Sequence, residues 1–226
     1  MNTTLRCTIS ISTLALLTLT VIPASAQEVT RLPETTKNSV GLDTGLEGAF
    51  IARASYQRRL DREMRSDPRI YARATLPFVT PDLGDWAVDA GLRITPLEWR
   101  DFRLTVLGGP LLRRSSNQSF SGLGLGVGAT MLAGYESHRW GLSLEGGYDQ
   151  FLGTYLSHTD AYRETYHANA KDGWYALSGS TARAGLRGGA RIGSFEIAAR
   201  AGLNTTGELR PTNPPWYFTV GTSYAF

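Results

Sequence analysis

Trp216-Tyr217-Phe218-Thr219-Val220-Gly221-Thr222-Ser223-Tyr224-Ala225-Phe226 closes the chain. In an extended strand successive side chains point to opposite faces, so alternate residues share a face. Trp216, Phe218, Val220, Thr222, Tyr224 and Phe226 fall on one face, and Tyr217, Thr219, Gly221, Ser223 and Ala225 on the other. The first face is apolar with aromatics at both ends; the second is mostly small and polar. That division suits a strand with lipid on one side and a polar lumen on the other.

The same period runs back through the chain. Phe195, Ile197, Ala199, Ala201 and Leu203 alternate with Glu196, Ala198, Arg200, Gly202 and Asn204. Trp140, Leu142, Leu144 and Tyr148 alternate with Gly141, Ser143, Glu145 and Asp149. Leu123, Leu125, Val127, Ala129, Met131, Ala133 and Tyr135 alternate with Gly124, Gly126, Gly128 and Gly134. Phe102, Leu104 and Val106 face away from Arg103 and Thr105, and Trp86, Val88, Ala90, Leu92 and Ile94 face away from Asp89 and Arg93. Weaker alternation runs over 50–57, 70–78 and 174–190. Each segment is a weak signal and their repetition a strong one. The expected fold is all-β, a single antiparallel transmembrane β-barrel. Nine segments can be traced, and bacterial single-chain barrels take an even number. A short strand at 39–44 with a turn near 45–48 makes ten; eight results if that N-terminal segment stays out of the wall.

If Phe226 ends on the periplasmic side, the strand directions follow. The links at 96–101, 136–139 and 191–194 become short periplasmic turns, and those at 113–121, 152–171 and 205–215 outer loops. Trp86, Trp174 and Trp216 then fall at outer strand ends, and Trp99 and Trp140 at inner ones, where an apolar ring with a hydrated N–H is favoured.

The N-terminus reads as an export signal. Arg6 supplies a positive start, 9–22 is apolar apart from Ser and Thr, and Pro23-Ala24-Ser25-Ala26 offers the small residues of a cleavage site. Cleavage after Ala26 divides the chain into a signal peptide (1–26), a short periplasmic segment (27–38) and the barrel (39–226). Cys7, the only cysteine, precedes the apolar run and leaves with it, so the mature chain has no disulfide and no cysteine metal site. Loss of Arg6 lowers the net charge from +3 to about +2, which excludes a strongly basic nucleic-acid binder.

A terminal strand ending in Tyr-x-Phe, here Tyr224 and Phe226, resembles the C-terminal signature of Gram-negative outer-membrane β-barrels. The resemblance covers the export signal, this strand and the alternation, and identifies a class of proteins. It implies location in the outer membrane, contact with membrane lipid and lipopolysaccharide, and recognition of the terminal aromatics by the barrel-assembly machinery.

Two sets of residues are candidates for function. Arg53, Arg73, Arg93, Arg103, Arg183, Arg187 and Arg200 are expected to face the lumen with Asp89, Glu145, Asp149 and Glu196. Such a ring can favour anions in a narrow pore; equally, its charges can pair and brace a closed barrel, since about eight strands leave an interior just wide enough for side chains. The second set, Tyr155, His158, Tyr162, Arg163, Tyr166 and His167, lies in the 152–171 loop and has the composition of a binding surface. His158, Asp160, Glu164 and His167 have no metal-ligand spacing. The alternate glycines of 123–128 lack the helix and Lys-Ser/Thr pair of a phosphate loop. No cofactor is expected. The leading function is a structural or surface-interaction barrel acting through its outer loops, the alternative a narrow channel with mild anion preference, and a membrane hydrolase stands behind both.

Overall fold

A computed structural model describes residues 36–60, 66–77, 84–166, 168–206 and 211–226. The signal segment and His167 lie outside the described residues. Ten strands follow in chain order: β1 Asn38–Glu47, β2 Phe50–Arg59, β3 Arg69–Pro77, β4 Trp86–Trp99, β5 Phe102–Ser116, β6 Phe120–Glu136, β7 Trp140–His158, β8 Gly173–Ile192, β9 Phe195–Thr206 and β10 Pro211–Ala225. Among the described residues a short helix, α1 (Asp160–Thr165), lies between β7 and β8. Each strand pairs antiparallel with its chain neighbours, and β1 pairs with β10 to close the barrel. Asn38 and Phe226 seal the seam by exchanging backbone hydrogen bonds of 2.9 Å. Closure leaves no sheet edge, which a membrane demands because lipid cannot satisfy free N–H and C=O groups.

The alternation read from the sequence is the alternation observed. Along β10, Tyr217, Thr219, Gly221, Ser223 and Ala225 are buried, while Trp216, Phe218, Tyr224 and Phe226 are exposed. The outer surface elsewhere carries Val40, Leu42, Leu92, Ile94, Leu142, Leu144, Leu186 and Ile197. The buried interior is chiefly polar and charged. This inside-out partition is that of a transmembrane barrel.

Several links differ from the expectation. The segment 96–101 is not a turn: β4 runs on to Trp99, and the turn is Arg100-Asp101. Pro96 lies where the register shifts, between the pairs Ile94↔Val106 and Leu97↔Leu104. The bulge absorbs one extra residue at a proline that has no N–H for the ladder. The first strand reaches Glu47, and its turn is at Gly48-Ala49. Parts of the expected outer loops are strand: β5 and β6 meet across a turn at 117–119, and β7 continues through His158. The wall is therefore uneven, with 9 or 10 residues in each of β1 to β3 and 17 to 20 in each of β6 to β8. A hydrocarbon band about 25 Å tall takes roughly ten residues of a strand tilted about 40°. The β6–β8 wall thus rises well beyond the lipid.

Trp99 and Trp140 are exposed at strand ends as expected; Trp216 is exposed too, but β10 begins five residues before it, at Pro211. Trp174 is exposed too, but at the far end of the 20-residue β8, above the outer lipid boundary. Trp140 packs against Tyr135 with ring centroids 4.9 Å apart. Trp140→Ala and Trp216→Ala should each lower the yield of refolded barrel, read as the heat-dependent mobility shift on gels; unchanged yields for both would remove them from the interfacial belts.

Candidate functional site

All eleven lumen charges expected from the sequence lie on inward faces, because parity along a strand fixes the face once one residue is placed. What the sequence did not supply is their pairing. Asp43 and Glu47, from the inner face of β1, both bind Arg53, at 3.2 and 2.6 Å. Glu47 also approaches Arg200 at 4.0 Å, and Arg200 meets Glu145 at 3.3 Å. Glu145 lies 3.8 Å from Arg183, which binds Asp149 at 2.8 Å. A continuous chain of alternating charge thus crosses the lumen from β1 to β7. Arg73 pairs with Asp89 on β4 at 2.5 Å. The expected cation excess is largely offset at this level, since β1 adds two acids that a weakly alternating segment concealed.

Small residues make room for the network. A Cβ at Gly147 would lie 2.4 Å from Nε of Arg183. Gly185 and Gly202 leave space for the ring of Tyr217, over which Arg200 is stacked at 5.4 Å. The inward glycines at 124 and 128 accommodate Phe151 and Asp149, not arginines.

Above this chain the lumen widens into an outward-facing vestibule of about 400 Å³. Its wall includes Glu47, Ile51, Arg73, Trp86, Arg113 and Phe151. Below, the space narrows to about 30 Å³ between Asp43, Ser55, Leu107, Leu132 and Arg187. Tyr71, Leu107 and Leu132 form a buried apolar cluster at this neck, with Arg73 over the Tyr71 ring at 5.0 Å. The half of the lumen below the neck is filled with side chains. Arg69 and Arg93 are each 1% exposed and share Oε1 of Gln57 at 3.5 and 3.3 Å. Arg103 binds Glu98, and Glu196 holds Arg187 at 3.4 Å and Arg191 at 2.7 Å. Arg93 and Arg103 therefore belong to the filled half and not to an open pore wall.

The second candidate set is partly reassigned. Tyr155 and His158 are in β7; Tyr162 and Arg163 are in α1, and Tyr166 follows it. The ring of His158 stacks on Tyr162 at 5.2 Å, and Tyr162 adjoins Tyr166 at 5.6 Å. The acidic partner of His158 is Asp172, which accepts from its backbone N–H at 2.8 Å and contacts Nδ1 at 3.1 Å. Asp160 instead meets Arg163. The backbone N–H of His158, with help from its ring and Arg163, lowers the pKa of the Asp172 carboxyl below the usual carboxylate range, to about 2. Tyr224 and Phe226 stack outward at 6.1 Å, with Phe195 4.8 Å from Tyr224.

No protein-family model matches the chain, and no curated protein matches it. Among solved structures, the KdgM porin is similar at 8% identity and a TM-score of 0.40, with 83% of this chain and 99% of the porin covered. The KdgM porin in complex with disordered oligogalacturonate gives 0.39 over the same coverage and identity.

Proposed function

We propose that the protein is a narrow channel of the bacterial outer membrane that draws small anions from the exterior into its vestibule. The observation that carries this reading is the charge of the vestibule wall. Arg53, Arg73, Arg113, Arg183 and Arg200 stand there against Glu47, Asp85, Asp89 and Asp149. The deeper arginines are tied to acids, whereas Arg113 is exposed near the rim. A concave, low-dielectric wall concentrates such an excess into an attractive field for anions. Passage then depends on the neck at Leu107 and Leu132, so conductance is small.

The test is single-channel conductance of the refolded chain in a planar bilayer under a salt gradient. The expected result is a small conductance with an anion-selective reversal potential. Arg113→Gln should move that potential toward zero. A folded but silent barrel would overturn the channel and favour the second reading, a structural or surface-interaction barrel. The charge chain and the side-chain filling of the half below the neck support that second reading. No comparable observation stands behind a membrane hydrolase.

A further inference from the structure

We propose that the concavity between α1 and the start of β8 is a saccharide-binding site. Its wall is formed by His158, Tyr166, Asn169, Lys171 and Tyr175, around about 350 Å³. Counted from Trp140, a lipid band of about 25 Å is crossed after roughly ten residues of β7. The concavity, at the outer ends of β7 and β8, therefore stands in the zone of surface sugars rather than acyl chains.

The chemistry of the wall selects the occupant. Tyr166 is 69% exposed and Tyr175 43%, so aromatic surface is presented beside an amide and an ammonium group. A pyranose has the complementary design, an apolar C–H face bordered by hydroxyls. An acyl chain would strand the polar groups of Asn169 and Lys171. Tyr supplies wide amphipathic contact at low entropic cost.

The site is also held in shape before any ligand arrives. The hydroxyl of Tyr175 donates to the Lys171 carbonyl at 2.8 Å, and Arg163 donates to Asp172 at 2.7 Å. The Thr159 hydroxyl accepts from the Tyr162 N–H at 3.2 Å and donates to the Gln118 carbonyl at 2.7 Å, tying α1 to the β5–β6 turn. Binding therefore does not have to order a free loop.

The saccharide could belong to lipopolysaccharide of the same membrane or to a free glycan, and three probes separate these sources. The refolded full chain in detergent is titrated with smooth lipopolysaccharide, with deep-rough lipopolysaccharide lacking the outer sugars, and with delipidated surface polysaccharide, following intrinsic fluorescence. Binding of the smooth form at least tenfold tighter than the deep-rough form supports a lipid-linked sugar. Comparable binding of the delipidated polysaccharide supports a free glycan. In either case Tyr166→Ala with Lys171→Ala should weaken binding at least tenfold while the heat-dependent mobility shift and conductance stay unchanged. Equal affinity for the smooth and deep-rough forms with no binding of the polysaccharide overturns the proposal, as does unaltered affinity in the folded double variant. Should the double variant not fold, Asn169→Ala alone, in the loop between α1 and β8, gives the same comparison.

Discussion

Gly109→Val is expected to abolish recovery of the folded barrel. The pairs Asp89↔Leu111 and Leu92↔Gly108 place Gly91 opposite Gly109 on the inner faces of β4 and β5. A Cβ at Gly109 would lie 1.9 Å from the Ala90 carbonyl oxygen and 2.7 Å from Cα of Gly91. A Cβ at Gly91 would lie 2.1 Å from the Gly108 carbonyl oxygen. The obstruction is backbone, which cannot rotate away as a side chain can, so the two strands would have to separate. A closed barrel cannot separate one pair without exposing unpaired N–H and C=O groups to lipid, at several kcal/mol each. Heat-dependent mobility on gels measures the outcome. Gly146→Val is the control: a Cβ there meets nothing within 4 Å, and the variant should fold normally. A folded Gly109→Val barrel would mean that β4 and β5 lie farther apart than described.

Leu107→Ala combined with Leu132→Ala should raise single-channel conductance several-fold. Both side chains are nearly wholly buried in the neck beneath the vestibule. Their truncation widens the narrow space of about 30 Å³ that they line beneath the vestibule. Each truncation costs about 2–5 kcal/mol where a site cannot relax, a loss the ladder of a closed barrel should tolerate. Unchanged conductance in the folded double variant would place the decisive constriction lower, at Gln57, Arg69 and Arg93.

Much of the fold was legible because a strand's period is short and strict. Once Trp216 and Phe218 are set toward lipid, Tyr217 and Thr219 must face inward, and the same logic carried every expected lumen charge to its observed face. Bulges were not legible. Pro96 looked like a turn because proline ends strands more often than it interrupts them, and only the pairing of Leu97 with Leu104 shows that β4 continues. The outer loops were overestimated for a related reason. Alternation weakens above the lipid, where both faces can be polar, so hydrogen-bonded strand over 152–158 resembled loop.

The candidate sites divide along the same line. The sequence by itself determined the two-faced strands, the aromatic ends, and which charges point into the lumen, since these follow from local geometry and the demand for an apolar surface. Only the tertiary structure decided that Glu47, beyond its hairpin neighbour Arg53, reaches Arg200, because that meeting depends on β1 closing against β10 across nearly the whole chain. It likewise decided that Leu107, Tyr71 and Leu132 converge into a neck and that Asp172, not a nearer acid, holds His158. Parity assigns a residue to a face; register, strand tilt and closure assign it a height and a partner, and those are properties of the whole barrel rather than of any one strand.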